Sequence, residues 1–145
     1  RCGYLGTLGA GVGEVRDSGG MTTPPVIELH GHLADFVGDG ARHAAIEVSS
    51  HALAQHRVDG VRFEAALFTN LSRDHLDYHG NMASYAEVKA ELFRRTELRR
   101  AVLNVDDALG LRAEDGGAVD QGRARRSPSS TTTLRCGSRS RLDFW

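Results

Sequence analysis

Residues 63–80, FEAALFTNLSRDHLDYHG, consist of an apolar segment followed directly by a loop that is rich in polar side chains. The first part, residues 63–70, has the length and apolar character of a buried strand. The polar part then places five ligand-type side chains within ten positions: Asn70, Asp74, His75, Asp77 and His79. Loops that follow buried strands often carry binding and catalytic groups, so we interpret this loop as part of a functional site.

A helix is predicted upstream of this strand. Thr22 or Thr23 has the side chain of an N-cap, and Pro24 suits the first helical position. Apolar residues then recur at helical spacing until Gly38 and Gly40, which are predicted to end the helix.

Strands and helices alternate along the rest of the chain. Strands are predicted at residues 43–48, 63–70 and 101–105, and helices after Ser49 or Ser50 (ending at Gly60) and after Asn81. This order predicts an α/β fold with a mostly parallel sheet flanked by helices. Ligands bind at the carboxyl ends of the strands in such sheets. Three polar residues are expected at those ends: Glu47, Asn70 and Asp106.

The composition limits the class of protein. The chain has 145 residues, of which 40% are hydrophobic and 26% charged, as expected for one globular domain. A formal net charge of −1 gives no support to a nucleic-acid partner. No apolar run approaches the about 18 residues of a membrane span, so we expect no membrane insertion and a cytoplasmic location. Cys2 and Cys136 match no metal-binding or redox spacing and are interpreted as free thiols.

Two side chains stand out chemically. Glu47 interrupts an apolar strand, where an unpaired carboxylate is unfavourable unless a metal ion, an arginine partner or a raised pKa compensates. The alternative is an edge position that faces water. Lys89 is the single lysine among 18 basic residues, and it borders the apolar face of its predicted helix. The ordinary interpretation is a surface lysine whose aliphatic stem packs on that face.

Carboxylates and imidazoles in the same loops suggest a divalent metal site. The alternative is that these side chains cap turns or are solvated. The residues concerned are Glu47, His51, His56, Asp74, His75, Asp77 and His79.

Three longer motifs, in this order and spacing, resemble the central domain of the Mur ligases, and most closely the tripeptide synthetase (MurE-type) branch. They are EVSSHALAQHRVDG at 47–60, FTNLSRDHLDYHG at 68–80 and MASYAEVKAELF at 82–93. GTLG at 6–9, TTP at 22–24 and NVDD at 104–107 fit the same pattern, and the resemblance covers residues 3–107.

The resemblance implies an ATP-dependent amide ligase of peptidoglycan synthesis. Such an enzyme adds a diamino acid, either meso-diaminopimelate or L-lysine, to UDP-MurNAc-L-Ala-D-Glu, and ATP and Mg²⁺ are its cofactors. The fold implied is the ATP-binding central domain of the family, here incomplete. The partners expected are therefore the UDP-MurNAc-dipeptide and a diamino acid.

The resemblance also implies roles for individual residues. Contacts to the UDP-MurNAc-dipeptide are expected from Thr22, Thr23, Ser49, Gln55 and Arg57. The nucleotide side of the site is expected to include Asn70 and Asp74. Catalytic roles and magnesium ligation are expected from Glu47, His75 and Lys89, with Lys89 present as a carbamate.

The sequence also departs from the family pattern. No phosphate-binding GxxGKT/S loop is present, and we expect it upstream of residue 1, so the chain as given is expected to be inactive. Residues 1–107 are interpreted as a partial central domain, and residues 108–145 as a divergent tail that is disordered or frameshifted. Position 21 is Met, where related sequences often have Asn.

Three other functions stay open from the sequence. The first is another amide ligase of the same superfamily, similar to folylpolyglutamate synthetase. The second is a metal-dependent hydrolase that uses the His/Asp cluster. The third is a non-catalytic remnant that binds nucleotide sugars.

Overall fold

The computed structural model describes residues 1–16, 20–104 and 106–107, together with the backbone of residues 124–127. Its described parts fall into two compact units, one within Arg1–Asp59 and the other within Gly60–Arg135. Apart from the backbone of residues 124–127, the predicted tail at 108–145 lies outside the described residues. Among the described residues, no helix combines the length and the apolar character needed to cross a bilayer.

The first unit is built on a three-stranded sheet with the order β2-β1-β3. Its strands are β1 (Cys2–Gly6), β2 (Gly9–Val12) and β3 (His43–Ile46). β1 pairs in parallel with β3, as the alternation predicts, but it pairs antiparallel with β2. The sequence predicted a single strand running into a loop here. The structure has a hairpin instead, in which Gly9 has a φ of 116° that favours glycine.

The first helix, α1 (Val26–Gly38), begins later than predicted. Neither Thr22 nor Thr23 is its N-cap. That position belongs to Pro25, and no side chain caps the helix. The Thr23 hydroxyl is instead fully buried and bonded to the backbone on either side of Val48. The Thr23 hydroxyl therefore makes a tertiary contact instead of capping the helix, which is the role that local sequence preference predicts for it. The predicted end is correct, because the helix stops at Gly38 and Gly40 has a φ of 77°.

The α1 helix buries one face against the sheet of the same unit. Leu29, Leu33 and Phe36 are buried on that face, and Leu5 is buried on β1. Gly3 makes the close approach possible, because a Cβ atom at that position would lie 2.4 Å from Phe36 Cδ2. The apolar face of α1 thus packs on the sheet. The polar residues that follow β3 lie at the carboxyl end of that strand.

The second helix, α2 (Ser50–Ala54), starts as predicted, because the Ser49 hydroxyl accepts the Ala52 amide at 3.1 Å. It ends before the predicted stop at Gly60. His56 takes a left-handed conformation with a φ of 56°, which breaks the helical backbone early.

The second unit carries another three-stranded sheet, with the order β4-β5-β6 and parallel pairing throughout. Its strands are β4 (Ala65–Phe68), β5 (Arg100–Asn104) and β6 (Ala124–Ser127). Its helices are α3 (Leu76–His79) and α4 (Met82–Glu91). One 3-10 turn, Leu92–Arg94, follows α4. The predicted cap of α4 is confirmed, because Asn81 Oδ1 accepts the Ser84 amide at 2.9 Å. The core consists of Ala66, Phe68, Phe93, Leu98, Ala101 and Leu103.

Candidate functional site

The carboxylate of Glu47 lies just beyond β3 and is held by residues of the opening hairpin. The Tyr4 hydroxyl donates a hydrogen bond to Oε1. The other oxygen, Oε2, accepts the Thr7 amide at 3.0 Å and the Thr7 hydroxyl at 2.8 Å. The Thr7 hydroxyl is also 3.0 Å from the Thr22 hydroxyl, which extends the network toward a predicted substrate contact.

These donors keep Glu47 ionised. The hydrogen bond from Tyr4 lowers the pKa of the Glu47 carboxyl, and the bonds from Thr7 act in the same direction. A raised pKa, one of the compensations expected for this residue, is therefore wrong. The residue is exposed at the end of the strand, as the water-facing alternative predicted, and hydroxyl and amide donors fix its position.

The predicted substrate contacts meet in the same network. The buried Thr23 hydroxyl donates to the Glu47 carbonyl oxygen at 2.7 Å and accepts the Ser49 amide at 3.0 Å. Arg57 Nη1 donates to the Thr23 carbonyl oxygen at 2.9 Å, and Arg57 Nε donates to Gln55 Oε1 at 3.0 Å. Side chains from the hairpin, the segment before α1 and the turn after α2 are thereby linked around Glu47.

Met21 is part of this cluster as well. Its Sδ accepts a hydrogen bond from Arg57 Nη1 at 3.0 Å, although the side chain is half-exposed. A thioether is a weak acceptor. The residue at the position where related sequences often have Asn therefore contacts the guanidinium predicted to bind substrate.

The second unit holds the remaining predicted residues in the loop that follows β4. His75 has a left-handed φ of 55° and precedes α3. Its amide donates to Asp74 Oδ1 at 2.8 Å, and its Nδ1 lies 3.6 Å from the same oxygen. The Asp74 carboxylate thus holds the His75 backbone and lies close to the imidazole, and the left-handed conformation of His75 is uncommon for a residue other than glycine.

Two residues at the end of β5 brace this loop on either side of Asn70. Asn104 Nδ2 donates to the Thr69 carbonyl oxygen at 2.8 Å, and Asp107 Oδ2 accepts the Leu71 amide at 2.9 Å. Both residues belong to the NVDD motif at 104–107, and the resemblance implies no role for either of them. The signal was their position after a strand parallel to β4, because neighbouring parallel strands bring their end loops together.

An aromatic cluster packs beside His75. The Tyr85 ring meets the His75 ring edge to face at 6.0 Å between centroids and stacks with the His79 ring at 5.1 Å. Burial raises the pKa of the Tyr85 hydroxyl, and the charge of Asp74 adds to this effect. Both effects favour the neutral, protonated form of the Tyr85 hydroxyl.

Lys89 is half-buried on α4, one position before the buried Ala90. Burial lowers the pKa of its ammonium group, since the charged form loses hydration. A lysine with a lowered pKa has a larger neutral fraction than a fully exposed lysine. The neutral amine is the form that reacts with carbon dioxide. Its environment thus differs from that of an ordinary, fully solvated lysine.

The three predicted magnesium ligands are divided between the units: Glu47 lies in the first, and His75 and Lys89 lie in the second. Within the part of the chain that the structure describes, no group of three or more His, Cys, Asp or Glu side chains is arranged to hold a metal ion. Magnesium ligation by these residues therefore stays a prediction. The chemistry of the donors nevertheless suits a hard cation, because Glu47 is an ionised and exposed carboxylate.

Comparison with known proteins agrees with the motif analysis. The family described as the Mur ligase middle domain matches residues 1–124. UDP-N-acetylmuramoyl-L-alanyl-D-glutamate--2,6-diaminopimelate ligase of Xylella fastidiosa (strain Temecula1) is 53% identical over 116 residues, which cover 80% of this chain and 23% of that protein. The ligase of the same name from Xanthomonas campestris pv. campestris (strain 8004) is 56% identical over 108 residues, which cover 74% of this chain and 22% of that protein.

The fold is shared with a solved structure of a UDP-N-acetylmuramoyl-L-alanyl-D-glutamate--2,6-diaminopimelate ligase. That structure is 38% identical, has a TM-score of 0.73, and is matched over 87% of this chain and 25% of its own. The chain thus spans about a quarter of the length of the relatives it matches. The α/β fold and the resemblance drawn from the motifs are both confirmed, and the chain belongs to the Mur ligase family, whose middle domain it matches over most of its length.

Proposed function

We propose that the chain supplies part of the middle domain of an ATP-dependent, ADP-forming ligase that adds 2,6-diaminopimelate to UDP-MurNAc-L-Ala-D-Glu in the cytoplasm. The names of the relatives support this substrate pair. The choice of diaminopimelate over L-lysine rests on those names alone. The activity belongs to the complete enzyme, since the chain spans about a quarter of its relatives.

The observation that carries the proposal is the hydrogen-bonded network around Glu47. It links Glu47 to four residues that the family resemblance assigns to the UDP-MurNAc-dipeptide. Thr22 reaches the Glu47 carboxylate through the Thr7 hydroxyl. Thr23 bonds to the Glu47 backbone carbonyl, and Ser49 and Arg57 are linked to it through Thr23. Gln55 is joined through Arg57. Hydroxyls, an amide and a guanidinium suit an anionic ligand rich in hydroxyl groups.

Glu47, His75 and the carbamate of Lys89 are the groups proposed to hold magnesium, and Asn70 and Asp74 are proposed to lie on the nucleotide side. Magnesium, when bound, neutralises negative charge on phosphoryl oxygens. The residues of this chain position the reactants. Arg57 and its neighbours are proposed to fix the dipeptide substrate, and the Asp74 carboxylate lies close to the His75 ring.

The proposed carbamate forms when the neutral Lys89 amine attacks carbon dioxide. A new N–C bond forms, the π bond of one C=O group breaks and leaves its electron pair on oxygen, and one proton passes from the nitrogen to water. The lowered pKa of Lys89 favours the neutral amine that this reaction needs. The product is an anionic group with two oxygens, which suits a hard cation.

Calorimetric titration of the chain with UDP-MurNAc-L-Ala-D-Glu tests this function. We expect binding that Arg57→Ala weakens about tenfold or more, because a hydrogen bond to a charged group contributes about 1.5–3 kcal/mol. Arg42→Ala is the matched control, since Arg42 is an exposed arginine of the same unit outside the network. Absence of binding by a folded wild-type chain, or equal binding of a folate, would contradict the proposal.

A further inference from the structure

The first strand contains a tyrosine whose ring reaches along the sheet to the Glu47 carboxylate. Tyr4 and Gly6 are two positions apart on β1, so they share one face of the sheet. Leu5 is paired with Ile46 on β3, and the Glu47 amide donates to the Leu5 carbonyl oxygen at 2.8 Å. This register places Glu47 beside Gly6, within reach of the Tyr4 hydroxyl.

Gly6 provides the space that this contact needs. A Cβ atom at Gly6 would lie 2.5 Å from the Tyr4 hydroxyl oxygen and 2.6 Å from Glu47 Cδ. Both distances are well below van der Waals contact. Tyr4 can therefore reach Glu47 only because the residue between them has no side chain.

The two oxygens of Glu47 are held unequally. Oε2 accepts two hydrogen bonds, from the Thr7 amide and the Thr7 hydroxyl, whereas Oε1 accepts one, from Tyr4. An ionised carboxylate offers about four acceptor directions. Among the residues that the structure describes, donors occupy three of these directions, and the remaining direction belongs to Oε1.

We propose that Tyr4 is a positioning residue that turns the free acceptor direction of Glu47 Oε1 toward a bound divalent cation, with Gly6 as the gap that admits its ring. This inference rests on the proposed role of Glu47 in binding magnesium. Partners in the outer shell of a metal site commonly change metal affinity by about 10- to 100-fold when they are removed.

Carbon-13 NMR of the full chain, labelled at the glutamate carboxyl carbon and titrated with Mg²⁺, tests the inference. Glu47→Gln identifies the Glu47 signal. We expect Tyr4→Phe, which keeps the ring and removes the hydroxyl, to move this signal and to raise the Mg²⁺ concentration at its midpoint about 10- to 100-fold. The thermal midpoint of Tyr4→Phe serves to separate this effect from general loss of structure.

Gly6→Ala tests the gap itself, because it removes no hydroxyl group but its Cβ atom would press on both the Tyr4 hydroxyl and Glu47 Cδ. We expect it to reproduce both effects of Tyr4→Phe. Gly31→Ala is the matched control, since a Cβ atom at Gly31 would meet nothing within 4 Å, and we expect its Glu47 signal to equal that of the wild type.

The outcomes separate this inference from the proposed function. A Glu47 signal and Mg²⁺ midpoint unchanged in Tyr4→Phe would overturn the role of Tyr4. A wild-type Glu47 signal that ignores Mg²⁺ would overturn magnesium binding by Glu47 and, with it, the purpose assigned to Tyr4. If the Glu47 signal then still moves in Tyr4→Phe, the hydrogen bond from Tyr4 to the carboxylate exists, but its proposed role in positioning a metal ligand is overturned.

Discussion

The Thr23 hydroxyl oxygen lies 2.7 Å from the Glu47 carbonyl oxygen and donates a hydrogen bond to it. The same oxygen accepts the Ser49 amide at 3.0 Å, and the Thr23 side chain is fully buried. One hydroxyl thus satisfies two backbone groups of the turn between β3 and α2. A residue assigned to substrate binding by resemblance therefore also maintains the backbone that carries Glu47.

Thr23→Val tests the structural role of this hydroxyl. Valine keeps the shape of threonine but leaves the Glu47 carbonyl and the Ser49 amide without this partner, so we expect a loss of about 1–3 kcal/mol in the free energy of unfolding. Urea denaturation followed by circular dichroism measures it. Thr23→Ser restores the hydroxyl and should recover most of the stability. Equal stability of the valine variant and the wild type would show that the two bonds contribute nothing.

A second prediction concerns the hydrogen bond by which Asp107, at the end of β5, holds the loop after β4. Asp107→Ala removes the acceptor of the Leu71 amide, and we expect hydrogen exchange of that amide to accelerate about tenfold or more. Asp106→Ala is the control, because the Asp106 contact runs from its backbone amide to Asn104 Oδ1 and survives the substitution. Unchanged exchange at Leu71 in Asp107→Ala would contradict the brace.

The buried position of Lys89 predicts a specific dependence of stability on pH. Because burial lowers its pKa, the unfolded chain binds the Lys89 proton more tightly than the folded chain does. The free energy of unfolding should then rise with pH between the lowered pKa and the ordinary lysine value of about 10.4.

Lys89→Met isolates this contribution, since it keeps an unbranched stem without the charge. We expect the variant to be more stable than the wild type near neutral pH, and the difference to shrink as the pH approaches about 10.4. Urea denaturation of both proteins across this range is the measurement. A difference that stays constant with pH would mean that Lys89 is as well hydrated in the folded chain as in the unfolded one.

Local sequence signals predicted some elements well. Ser49 and Asn81 are N-caps because each accepts an amide three residues ahead, a contact that depends only on nearby sequence. Thr23 failed as a cap because a distant strand end uses its hydroxyl. The hairpin of β1 and β2 escaped prediction because its glycine-rich sequence gives little periodic signal.

The candidate site shows the same division. Motif resemblance singled out Arg57 and Glu47, which the structure brings into one network. Tyr4 was not identified, because its relation to Glu47 follows from the register between β1 and β3 and from the missing side chain at Gly6. Neither feature can be read from spacing along a single chain.

This chain is proposed to function as the corresponding part of a diaminopimelate-adding ligase. The most direct test of this proposal replaces the matching segment of the Xylella fastidiosa ligase with residues 1–107 of this chain and measures ADP release with and without 2,6-diaminopimelate. We expect ADP release that depends on diaminopimelate, and its loss in the same chimera carrying Lys89→Arg, because a guanidinium cannot form the carbamate. A folded chimera that releases no ADP beside an active parent enzyme, or full turnover by the Lys89→Arg chimera, would contradict the account.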